Sequence, residues 1–149
     1  MLDNSLRFNE ELKAAQEWEF LTRVLFYSPE YDVLEKPLIK IRRHAESISF
    51  NKNKNTRKWY YYLAREKLFL FLKNQKSNNA KEINAYLFSY FKNSIISYLF
   101  EQKANESWAI YNNTLKFFYN FPKSLIVRFY IKFVLLTGRG YNYRQKIIS

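Results

Sequence analysis

Apolar residues recur at helical spacing along most of the 149-residue chain. The clearest case is residues 80–102, where apolar positions follow one another every four residues and so share one helix face. These positions are Ile83, Leu87, Phe91, Ile95 and Leu99. Similar patterns predict helices over residues 56–73, from Asn105 or Ser107 to about Asn120, and over residues 123–137. The four segments, joined by short polar links, predict a small bundle of about four helices or stacked helical hairpins.

Residues typical of helix ends flank these segments. Thr56 is suited to cap the first helix, because its hydroxyl can accept a hydrogen bond from a free backbone N–H. Pro122 is expected in the first turn of the last helix, where its missing N–H costs nothing, and Gly138 is a typical stop. The residues after Gly138 are most simply a disordered end.

The N-terminal third has a different pattern. Residues 9–27 predict a helix that ends at Ser28, because Pro29 disfavours the α conformation of the residue before it. Residues 33–41 carry β-branched and apolar side chains around Pro37, which predicts one short edge strand. Residues 42–50 show no periodicity and are expected to form a loop.

Charge divides the chain in the same region. Residues 1–49 hold 7 basic and 9 acidic side chains, whereas residues 50–149 hold 18 basic and only 4 acidic ones. This shift predicts two structural units, residues 1–50 and residues 51–149.

Composition excludes several classes of protein. The chain has no cysteine and one histidine, which excludes disulfides, thiolate catalysis, cysteine-ligated zinc and multi-histidine metal sites. Two glycines and three prolines leave too few tight-turn residues for a many-stranded sandwich or barrel. No uncharged apolar run reaches the roughly 18 residues of a membrane span, and the N-terminus lacks a signal-peptide pattern. A cytoplasmic protein is therefore expected.

Two short motifs could carry chemistry. Glu17 and Trp18 precede Arg23 by a few residues, and Arg42, Arg43 and His44 precede Ser47 and Ser49. From the residues alone, a glutamate on a charged helix is usually solvated. Two guanidinium groups and an imidazole can hold a phosphate, or can be a basic surface cluster.

The order of these motifs resembles the family 2 glycosyltransferases of bacteria. The nucleotide-sugar domain of that family, of the GT-A type, ends with "F-D-E-x-L", then "E-D-W" with a following arginine, then "R-x-H-x-x-S-x-S". Here the matching segments begin at Phe8, Gln16 and Arg42, within about residues 5–50, and residues 137–141 are similar to the tails of such proteins. The resemblance implies a mainly α chain, in which a helix–short strand–loop remnant of a GT-A α/β domain precedes the helical bundle.

The resemblance also implies roles for single residues. Glu17 matches the general base that takes the proton from the acceptor hydroxyl in an inverting transfer, although the family usually has aspartate there. Arg42 and His44 match the pair near the donor diphosphate, with His44 a candidate metal ligand. The supporting residues would be Trp18, Arg23, Arg43, Ser47 and Ser49.

The chain departs from the family at the donor site. Its only two aspartates are Asp3 and Asp32, so it has no D-x-D motif to hold the Mg²⁺ or Mn²⁺ expected in the complete enzyme. We therefore expect this chain to be the C-terminal part of a transferase. By itself it is expected to bind no cofactor and to have no transfer activity.

The partners implied for the complete enzyme are a nucleotide-sugar donor and a saccharide or lipid-linked acceptor. The basic residues 50–149 suit an anionic membrane surface, which would make the protein peripheral on the inner membrane face. Residues 125–136 are the strongest candidate for that contact, and a helix of the bundle core is an equal alternative. Nucleic acid is less favoured, because most aromatic residues occur at core-like spacing. The alternative function is a non-enzymatic basic helical adaptor or nucleic-acid-binding module.

Overall fold

The structure is a computed structural model, and it describes residues 6–37, 40, 54–75 and 79–149. Within these ranges the chain forms six α-helices and divides into two compact units, residues 1–74 and 75–149. The helices are α1 (Gln16–Tyr27), α2 (Lys54–Lys73), α3 (Asn79–Phe100), α4 (Ala104–Asn113), α5 (Phe121–Thr137) and α6 (Arg144–Ile148). The prediction of a mainly helical chain is confirmed.

Helix α1 begins later than the sequence pattern predicts. The side-chain oxygen of Asn9 accepts a hydrogen bond from the backbone N–H of Glu11 at 3.1 Å, and Ala15 has a left-handed backbone with φ 59°. Such local side-chain bonds offer the backbone an alternative to the helix. The predicted helix over residues 9–15 is therefore wrong, whereas its end at Tyr27, before Ser28, is confirmed.

In the first unit, α1 packs against α2. The rings of Phe26 and Phe71 meet edge-to-face with their centroids 5.5 Å apart, a favoured arrangement of aromatic pairs. Tyr62 and Leu68 on α2 are fully buried. Helix α2 begins at Lys54, so the predicted cap residue Thr56 lies inside the helix.

In the second unit, α3 supplies the predicted core stripe. Leu87, Phe91, Ile95 and Leu99 are each at most 1% exposed, whereas the fifth residue of the stripe, Ile83, is half-buried. Helix α3 contacts α4 and α5. Helix α4 ends at Asn113, earlier than predicted, and a 3₁₀ turn follows over Leu115–Phe118.

The predicted stop of α5 at Gly138 and the first-turn position of Pro122 are confirmed, although the helix begins at Phe121, two residues earlier than predicted. The side chain of Asn120 accepts a hydrogen bond from the N–H of Lys123, Pro122 lies in the first turn, and Gly138 closes the helix with φ 64°. The residues beyond it are folded, which corrects the interpretation of a disordered end. The hydroxyl of Tyr119 donates to the carbonyl of Ile148 at 2.5 Å, and the Ile148 side chain is fully buried.

The predicted short strand is not seen in the residues that are described. Residues 33–37 and 40 are not in a strand, and residues 38, 39 and 41 lie outside the described ranges. The predicted loop over residues 42–50 also lies outside them. The compositional boundary between residues 50 and 51 stays a prediction. Helix α2 belongs to the basic part of the sequence after that boundary, and it packs against α1, which comes before it.

No helix in the described ranges is both long enough and apolar enough to cross a membrane.

Candidate functional site

A surface cleft of about 400 Å³ opens in the first unit, beside the start of α1. Residues 13–18 line one side of it, and three residues of α2 line the other. The lining includes two residues that the sequence motifs single out, Glu17 and Trp18, and three that they do not, Arg57, Tyr61 and Arg65.

Glu17 and Glu19 lie in the same helical turn in opposite environments. Glu17 is exposed at the cleft, and its carboxylate forms no hydrogen bond or ion pair with another described residue. Glu19 is only 2% exposed. Because helical residues two apart face different directions, this turn presents one acid to the cleft and one to the interior.

A buried ion pair fixes the start of α1. Both side-chain oxygens of Glu19 accept hydrogen bonds from the guanidinium of Arg23, at 2.7 and 3.0 Å. The same guanidinium donates to the carbonyl of Arg7 at 2.7 Å, which ties the segment before α1 to the helix. Arg23, one of the predicted supporting residues, therefore positions the helix that carries Glu17.

Trp18 joins the two walls of the cleft. The guanidinium carbon of Arg65 lies 4.3 Å from the centroid of the indole ring, a cation–π contact worth about 0.5–2 kcal/mol. Because Trp18 is on α1 and Arg65 is on α2, the contact holds Glu17 close to α2.

A second ion pair fastens the turn before α1 to α2. The ammonium of Lys67 lies 2.5 Å from the carboxylate of Glu11. The hydrogen bond from Lys67, together with its charge, lowers the pKa of Glu11.

The charges of the cleft are mixed and predominantly positive. Lys13, Arg57 and Arg65 face a single carboxylate, that of Glu17. Guanidinium groups bind carboxylate and phosphate groups with paired hydrogen bonds. The cleft can thus bind a hydroxyl-rich or anionic ligand and hold a carboxylate beside it.

Five predicted site residues cannot be placed. Arg42, Arg43, His44, Ser47 and Ser49 lie outside the described residues. Within the ranges that are described, no three acidic or histidine side chains come together to hold a metal ion.

The cleft residues of α2 do leave a signal in the sequence. Arg57, Tyr61 and Arg65 are spaced by four, which predicts one polar and aromatic face of a helix. The sequence pattern does not indicate that this face meets α1.

Comparison of the chain with protein-family models, with curated proteins and with solved structures found no match.

Proposed function

We propose that the chain is the C-terminal part of an inverting family 2 glycosyltransferase, with Glu17 as the general base. The observation that carries the proposal is the exposed Glu17 carboxylate, in an open cleft beside Trp18 and two arginines of α2. The order of the sequence motifs supports the choice of family.

The chemistry suits a carboxylate in this environment. A sugar hydroxyl is a weak nucleophile until a positioned base accepts its proton. Glu17 takes that proton while the hydroxyl oxygen attacks the anomeric carbon, and the nucleoside diphosphate leaves with the electron pair of the broken C–O bond.

The other lining residues bind the acceptor. Trp18 and Tyr61 supply apolar surface for the carbon face of a saccharide ring. Arg57 and Arg65 donate hydrogen bonds to its hydroxyl or acidic groups. Both arginines line the same cleft as Glu17, so one ligand in it can contact all five side chains.

The donor would bind mainly to residues outside the described part of this chain. The resemblance puts Arg42 and His44 next to the donor diphosphate, and the family's D-x-D motif would hold Mg²⁺ or Mn²⁺. The described residues do not group into a metal site.

A transfer assay on the native protein tests this function. The protein is tagged at its own locus, purified from its source cells, and incubated with a panel of radiolabelled UDP- and TDP-sugars, Mn²⁺ and a lipid extract. We expect Glu17→Gln to lower transfer by about 10²- to 10⁴-fold, the usual contribution of a general base.

Glu30→Gln is the matched control, because Glu30 is exposed in the same unit and does not line the cleft. It should leave transfer unchanged, and the 149-residue chain alone should give none. Absence of transfer from every sugar nucleotide, or equal rates for wild type and Glu17→Gln, would overturn the proposal.

The charge of the second unit favours a second candidate, a non-enzymatic basic module. Residues 107–149 contain seven lysines and arginines and no acidic residue, which attracts polyanions. This alternative gives the Glu17 cleft no role. It predicts RNA or DNA binding that weakens steeply with salt and is unchanged by Glu17→Gln.

A further inference from the structure

Helix α5 is apolar on two opposite sides. Its inner side is packed in the second unit, where Val127, Tyr130, Ile131 and Val134 are at most 7% exposed. Its outer side carries four apolar side chains that are 51% to 74% exposed. We call these the outer face of α5: Ile126, Phe129, Phe133 and Leu136.

The outer face is a continuous stripe. Its residues recur at spacings of three and four, which aligns them along one side of a helix with about 3.6 residues per turn. A stripe of large apolar side chains in water is unfavourable unless another surface covers it, and such patches mark contact sites.

Positive charge borders the outer face. Arg128 and Lys132 are exposed and one turn apart, which places them along one edge of the stripe. The hydroxyl of Tyr130 donates to the carbonyl of Gly140 at 3.0 Å, so the chain after Gly138 is held against the helix. Arg139 is therefore kept at the C-terminal end of the stripe.

Charge also limits what can cover the outer face. Residues 107–149 contain no acidic residue, so a second copy of this face would bring arginines and lysines together without a carboxylate in that region to pair with them. Nucleic acid would match the charge, but Ile126 and Leu136 cannot stack on bases as aromatic rings do.

An anionic bilayer matches both features. Apolar side chains enter the boundary between headgroups and acyl chains, while arginine and lysine extend to the headgroup phosphates. We propose that the outer face of α5 docks on an anionic lipid bilayer, with the helix lying parallel to the membrane plane. Docking of this kind does not depend on the proposed sugar transfer.

Vesicle flotation tests the docking. The chain is mixed with vesicles of phosphatidylcholine and phosphatidylglycerol, or of phosphatidylcholine alone. Wild type should float with the anionic vesicles, and the double variant Phe129→Ser/Leu136→Ser should bind them at least about tenfold more weakly, given the apolar surface it removes. Arg128→Gln/Lys132→Gln should bind them about 30-fold more weakly, since each cation near an anionic surface contributes about 1 kcal/mol.

The matched control is Leu21→Ser/Leu70→Ser, which removes two exposed apolar side chains from α1 and α2. It should float as wild type does. The proposal would be overturned if the wild-type chain floated with neither kind of vesicle. It would also be overturned if the control and Phe129→Ser/Leu136→Ser lost vesicle binding equally.

A fluorescent label on the outer face of α5 identifies directly what covers that face. Because the chain has no cysteine, Phe129→Cys can carry a single environment-sensitive dye, and Leu70→Cys carries the same dye as control. Anionic vesicles should shift the emission of the first to the blue and leave the second unchanged. A shift caused only by raising the protein concentration, or only by single-stranded RNA, would assign the face to a second copy or to nucleic acid and overturn docking on lipid.

Discussion

At the scale of single residues, the cleft depends on two glutamates with different tasks. Glu17 faces the cleft, whereas Glu19 is buried and held by Arg23. A buried carboxylate is tolerated when a paired, hydrogen-bonded cation balances it. The sequence shows two acids around Trp18 but does not show which one points inward, because that depends on the packing of α1 on α2.

We predict that Glu19→Ala lowers the free energy of unfolding by about 3–5 kcal/mol, because it leaves the Arg23 guanidinium, with a side chain only 13% exposed, without its counterion. Glu17→Ala should change it by less than about 0.5 kcal/mol. Urea denaturation followed by circular dichroism measures both, and equal effects of the two substitutions would contradict the roles assigned here.

At the scale of elements, side-chain spacing predicts the interior of helices better than their ends. Four of the five stripe residues of α3 are buried, as their four-residue spacing predicts. Asn120 caps the start of α5 and Gly138 closes its end, by the ordinary preferences of these residue types. Helix α1 starts late: Asn9 bonds to the backbone locally, and Ala15, directly before the helix, has a left-handed backbone. The C-terminal residues are held by long-range contacts such as the hydrogen bond from Tyr119 to Ile148, which joins residues 29 apart and which no local pattern indicates.

The Tyr119 hydroxyl, which donates to the carbonyl of Ile148, should make the free energy of unfolding depend on pH in the alkaline range. Burial raises the pKa of Tyr119 above its unfolded value of about 10. As the pH rises past 10, the Tyr119 hydroxyl therefore ionises in the unfolded chain before it ionises in the folded one. The contribution of this group to the free energy of unfolding is present below that pH and is lost above it.

We predict that Tyr119→Phe lowers the free energy of unfolding at neutral pH by about 0.5–1.5 kcal/mol, because one hydrogen bond is lost. Above pH 10 the variant should lose stability less steeply than wild type does. Urea titrations on either side of that pH compare the slopes, and identical slopes would show that Tyr119 is not the responsible group.

At the scale of the whole molecule, charge and compactness divide the chain at different places. The charge changes near residue 50, whereas the first compact unit continues to Asn74. Helix α2 belongs to the basic part of the sequence, and it contributes Arg57 and Arg65 to the cleft that contains Glu17. The motifs predict Glu17 and Trp18, but the arginines follow only from the tertiary packing of α2 against α1.

The central claim is that the carboxylate of Glu17 accepts a proton in this cleft. Its most direct test compares Glu17→Asp with Glu17→Gln in the native protein, under the transfer assay described above. Aspartate keeps the carboxylate and is one methylene shorter, and a displacement near 1 Å can cost up to about 100-fold in rate. The account predicts reduced but measurable transfer by Glu17→Asp and a still lower rate for Glu17→Gln. Equal rates for the two variants would contradict it.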